Sequence, residues 1–208
     1  MNFFQKSNVF ALQSFIAILM GLSLSNIILG YYNLHISNSD ILIYNIGIGY
    51  NFLFLGSLVF VIRFYHGNIR LLHESYERSG ISNPAVRSSQ FIDWLVVLIQ
   101  TIIFSFLGLI ITSQVNFQFL IIVILGIDTI WLFYSDLSHS AKLEKKNNVA
   151  KSCAAINGIC FLLLLTIEFL YLSQMFSPSL TGVIFGGILI VASIFDYIYN
   201  FNFYFPKS

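Results

Sequence analysis

Charge is the scarcest commodity in this sequence: Asp, Glu, Lys and Arg together make up 9% of its 208 residues, against about 25% in a soluble domain. Apolar residues reach 57%, so a water-facing globule is excluded. A net charge of +1, with no clustered basic face, argues against a nucleic-acid partner. The three prolines, Pro84, Pro178 and Pro206, all stand outside the centres of apolar runs. The proline-broken helices of many secondary transporters are therefore missing. The two cysteines, Cys153 and Cys160, lie on one face of a single helix. That spacing forbids a disulfide within the helix, and both read as small packing residues.

Catalytic signatures are missing as well. No phosphate-binding loop, nucleophile elbow or dinucleotide fingerprint occurs, and the expectation is a protein that is not an enzyme and holds no cofactor. His66, His73 and Glu77 fall near one face of a helix. However, HESYE at 73–77 is not the HExxH arrangement that sets two zinc-binding histidines one turn apart. These three residues read instead as a solvated juxtamembrane surface, a docking site for a soluble cytosolic partner, and no metal site is expected.

What the sequence does have is apolar length. Residues 9–30, 41–62, 91–112, 117–137, 153–175 and 180–200 are runs of the roughly 20 residues that a bilayer-spanning helix requires. The first is longer than the core of a signal peptide and is not closed by a small-residue cleavage site, so it reads as a span. The expected fold is an all-α integral membrane protein: one transmembrane domain, residues 1–208, with six helices in a bundle. Two polar loops, 63–90 and 138–152, separate them, with Arg63 opening the first loop. Residues 68–79 read as a short amphipathic helix of their own, with Gly67-Asn68 as a break before it.

The basic residues fix an orientation. Lys6, Arg63, Arg70, Arg78, Arg87, Lys142, Lys145, Lys146, Lys151 and Lys207 all fall on one side of a six-span topology. By the positive-inside rule that side is the cytoplasm, and both termini lie there. The absence of an N-x-S/T acceptor and the richness in Ile, Asn and Phe fit a bacterial inner membrane. Phe64-Tyr65, Phe133-Tyr134 and Phe203-Tyr204 recur at intervals of 69 and 70 residues, a spacing that fits three helical hairpins or an aromatic belt at the interface.

Within the spans, depth sorts the polar residues. Asn51, Gln100 and Asp128 fall near the middle, Asn26, Asn45 and Glu168 in the outer half, and Asp93, Asp136 and Asp196 at the cytoplasmic ends. With the second span ending at Ile62, no Lys, Arg or His lies inside a span. Asp128 and Glu168 then have no internal cation, and are expected to be protonated, hydrogen-bonded to neighbours such as Asn51 and Gln100, or holding a mobile cation. Arg63, Asp93, Asp136 and Asp196 would form a cytoplasmic mouth.

Glycines Gly47, Gly49 and Gly56, and the Gly182-x-x-x-Gly186 motif with Gly187, suit close helix packing within or between subunits. The functional expectation is an oligomeric, channel-like subunit for cations or protons. A secondary transporter and a membrane anchor that recruits a cytosolic protein are the alternatives.

Overall fold

In lipid an unpaired backbone amide is too costly to leave, so a chain this apolar folds as helices that satisfy themselves. The structure, a computed structural model, describes residues 3–37, 47–76, 84–111, 113–140 and 148–206. The helices are α1 (Phe3–Ser37), α2 (Ile48–Tyr76), α3 (Pro84–Ile110), α4 (Gln114–Ser140), α5 (Asn148–Leu172), α6 (Pro178–Tyr199) and the short α7 (Phe201–Tyr204). No strand occurs among the described residues. Each of α1–α6 carries a stretch of 19–24 residues with mean hydropathy of 1.5 or more, long and apolar enough to cross a membrane. This is a multi-pass membrane protein. Its outer surface is apolar, with Ile18, Leu109, Ile130, Leu162, Phe169, Val191 and Ile198 all exposed.

Proline and polar caps set several ends. α3 starts at Pro84, whose fixed φ suits a first turn. α6 starts with Pro178 behind Ser177, whose hydroxyl accepts from the Leu180 amide at 3.3 Å. Gln114, at the start of α4, donates to the Pro178 carbonyl at 2.9 Å and ties those two ends together.

Two of the three closest pairings skip chain neighbours. α2 lies along α6, α1 along α3 and α4 along α5, so the bundle is interleaved rather than a row of three consecutive hairpins. Glycines explain the first pair. A Cβ on Gly56 would sit 2.5 Å from the Gly186 carbonyl oxygen, and one on Gly182 would sit 2.6 Å from that of Gly49. The glycine faces of α2 and α6 are thus consumed within one chain. Gly187, one residue along, has nothing within 4 Å of a built Cβ.

This pair of neighbours gives a sharp test. Gly186→Ala should destabilise the protein by about 1–3 kcal/mol through overpacking. Gly187→Ala should be neutral or stabilising, by up to about 1 kcal/mol of helix propensity. Thermal unfolding in detergent reads both, and equal melting of the two variants would refute the α2–α6 contact.

The second helix departs from the sequence reading. Residues 41–46 lie outside the described residues, and from Ile48 the helix runs unbroken through Arg63, Gly67 and Asn68 to Tyr76. No separate amphipathic helix begins at Asn68. Gly67 is not a break but a notch: a Cβ there would meet the Tyr204 hydroxyl at 3.2 Å. The C-terminal segment folds back onto α2 at this notch, and Arg70 donates to the Phe203 carbonyl at 3.0 Å. Arg63 is therefore interior to a helix, which corrects the expectation that no cation lies inside a span.

Candidate functional site

Arg63 is 4% exposed, and a guanidinium so placed must find acceptors. Its Nε donates to Asp196 Oδ2 on α6 at 2.8 Å, forming an ion pair. Its Nη2 donates to Asn157 Oδ1 on α5. One side chain thereby joins three helices, and the planar fork of Arg is what allows two acceptors to be met at once.

Asp196, 0% exposed, is saturated. Besides Arg63, its Oδ2 accepts from the Tyr204 hydroxyl at 2.5 Å, and its Oδ1 accepts from Asn200 Nδ2 at 2.6 Å and from the Cys153 thiol at 3.6 Å. Burial and the neighbouring Asp196 carboxylate push the Tyr204 phenol well above its ordinary value, so it stays protonated and donates. Asn200 accepts in turn from Ser152 at 2.7 Å.

Asp128, 3% exposed, sits one amide away. Asn157 Nδ2 donates to its Oδ2 at 2.5 Å, and Gln100 Nε2 donates to its Oδ1 at 3.2 Å. Asn157 therefore touches Arg63 with its carbonyl and Asp128 with its amino group. The result is a continuous chain, Asp196–Arg63–Asn157–Asp128–Gln100, that crosses α6, α2, α5, α4 and α3. Beside it lies a cavity of about 30 Å³ with Arg63, Asp128, Asn157 and Asp196 among its lining residues, room for one or two waters. Arg63 Nη1 and Gln100 Oε1 have no hydrogen-bond partner among the described residues.

Charge balance follows from the geometry. Arg63 and Asp196 neutralise each other directly, and Asp128 is left with two neutral amide donors. Deep in a bundle, such a carboxyl is a functional candidate by its position alone.

The remaining sequence-predicted residues are dispersed. Asn51 is exposed and accepts from the Tyr31 hydroxyl at 2.5 Å, and so does not reach Asp128. Glu168, one helical stretch further along α5, is buried apart from the cluster. Asp93 accepts from the Trp131 indole at 2.8 Å, which pins α3 to α4. Of the expected mouth residues, Arg63 and Asp196 come together as a buried ion pair, three residues from the end of α6. Asp136 falls on α4 and His73 on α2, with side chains outside the described set, and Glu77 lies outside the described residues. His66 is half-buried among Tyr197, Tyr204 and Phe205, with ring centroids 5.8, 5.0 and 5.7 Å away. Among the described residues no group of three His, Cys, Asp or Glu side chains is placed to hold a metal.

Asn157 is the member of this cluster that the sequence reading passes over. The spacing that sets Cys153 and Cys160 on one face of α5 also sets Asn157 there, and that was the available signal. No family model, no curated protein and no solved structure matches this chain.

Proposed function

We propose that this multi-pass membrane protein conducts protons, with Asp128 as the carboxyl that takes up and releases the proton. Asn157 and Gln100 orient Asp128, and the Arg63–Asp196 pair sets the field around it. The observation that carries the reading is the leftover charge: a lipid-shielded carboxyl beside a water-sized cavity, next to a cation that already has its own counter-ion. An ionised Asp128 is uncompensated, and a proton removes that imbalance at little steric cost. A metal cation would have to enter a cavity of about 30 Å³ beside the Arg63 guanidinium, which repels it. Of the cation classes expected from sequence, the proton fits best.

In the orientation we propose, the basic loops and both termini face the cytoplasm of a bacterial inner membrane. Proton transfer of this kind belongs to a single bundle and requires no pore between subunits.

A membrane anchor for a cytosolic protein is the second reading, favoured by the completeness of the hydrogen bonding at Asp196. A cluster built only to hold helices would look like that half of the site.

Ion selectivity in liposomes separates the two. With the purified protein reconstituted around a pH-sensitive dye, a proton gradient should dissipate faster than in empty liposomes, while sodium and potassium gradients persist. Sodium or potassium flux equal to proton flux would contradict the proton reading, and no flux from folded protein would favour the anchor.

A further inference from the structure

A second buried carboxyl, Glu168, has no hydrogen-bond partner among the described residues. α4 and α5 run antiparallel, and three contacts fix their register. Asn157 bonds Asp128. A Cβ on Gly126 would meet the Phe161 ring at 3.2 Å, and one on Gly158 would meet the Thr129 methyl at 3.4 Å. Followed towards the start of α4, that register sets Gln118 opposite Glu168. Both are on the inner stripes of the seam: Gln118, Ile122, Gly126 and Thr129 recur at helical spacing on α4, as do Asn157, Phe161, Leu164 and Glu168 on α5.

Gln118 is 0% exposed and Glu168 is 5% exposed. Among the described residues neither polar atom of the Gln118 amide and neither carboxyl oxygen of Glu168 has a hydrogen-bond partner. Four unpartnered polar atoms thus share one level of one seam. Buried polar groups left unpaired cost about 1–3 kcal/mol each, so direct helix gluing does not account for them. A site that is completed by something small and polar does.

We infer that Gln118 and Glu168 form a second proton-binding site, reached from the end of the bundle opposite the Arg63–Asp196 pair. An amide suits both states of a carboxyl: Gln118 Nε2 can donate to the carboxylate, and Gln118 Oε1 can accept from the carboxylic acid. A hydronium ion delivers the proton to a Glu168 oxygen and leaves water behind; release is the reverse. Access is short, since Glu168 is four residues from the end of α5 at Leu172 and Gln118 four from the start of α4 at Gln114, about 6 Å along each axis. Asp128 lies about 15 Å deeper, across an apolar layer that includes Ile121, Ile122, Leu125 and Leu164.

α4 and α6 pack against α5, and neither brings a charged group to this level. Residues 114–127 of α4 and 178–195 of α6 contain no Asp, Glu, Lys, Arg, His, Cys or Tyr. On α5 itself Tyr171 is the nearest ionisable group, with Tyr50 of α2 interacting with it. Among the described residues of α4 and α6, no charged side chain lies at the level of Glu168.

The inference extends the proton-conduction reading, and its test is independent of flux. Infrared spectra of the reconstituted protein, recorded as pH is lowered, should show the carbonyl band of a protonated carboxyl growing in. Glu168→Gln should remove one such band, Glu168→Asp should retain it at a shifted position, and Gln118→Leu should shift it by removing the amide. Circular dichroism confirms the folding of each variant. A spectrum unchanged by Glu168→Gln, or a Glu168 band unmoved by Gln118→Leu, would overturn the site. If the band behaves as expected while the native protein conducts no protons, this site stands and the Asp128 reading fails. If Asp128→Asn abolishes flux and no Glu168 band exists, only this site fails.

Discussion

Arg63→Met will destabilise this protein more than any substitution on its outer surface, by about 3–5 kcal/mol, because it strands the Asp196 carboxylate in the core. The loss is not confined to one ion pair. Arg63 donates to both Asp196 and Asn157, so its removal also frees the Asn157 carbonyl that links α5 to α2. Arg63→Lys should recover only part of the loss, since a single ammonium does not reproduce a planar fork directed at two helices. The double variant Arg63→Met/Asp196→Leu should be more stable than Arg63→Met alone, because no charge is left uncompensated. Tyr204 and Asn200 then lose their acceptor, so recovery to the native level is not expected. Unfolding in mixed micelles, followed by fluorescence of Trp94 and Trp131, measures all four proteins. An Arg63→Met variant as stable as the native protein would show that Arg63 is not the keystone of the bundle.

The contrast between what the sequence disclosed and what it hid centres on the same arginine. Six apolar runs of span length are unmistakable because hydrophobic length is a property of consecutive residues. A charge at the edge of such a run looks like its boundary, and from sequence Arg63 reads as the start of a loop. Its counter-ion Asp196 lies 133 residues away, and nothing local to either residue announces the pair.

Rotation about each helix axis was not legible, and depth only in part. Gln100 turns inward to Asp128, whereas Asn51, twelve residues before Arg63 on α2 and so about 18 Å from that level, turns outward to Tyr31. The glycines had two readings open, and only the close approach of Gly56 to Gly186 assigns them to contacts within the chain. Gly67 misled for a related reason: a glycine in a helix weakens it locally, but here the missing Cβ admits Tyr204.

Asp128→Asn carries the second large effect. Asparagine keeps the size of the side chain and an oxygen for one amide donor, but it cannot exchange a proton. Its amino group would also face an amide that now donates to Asp128, so either Asn157 or Gln100 must rotate, at a cost of about 1–3 kcal/mol. That is well short of the loss expected for Arg63→Met, and the variant should remain folded. Proton conduction should nonetheless fall by about a hundredfold or more, the scale on which a positioned proton acceptor contributes.

The decisive measurement is therefore proton flux in liposomes under an imposed membrane potential, comparing the native protein with Asp128→Asn at equal helical content. Flux in the native protein and its loss in the variant is the result predicted here. Equal flux in the two would contradict a proton pathway through Asp128.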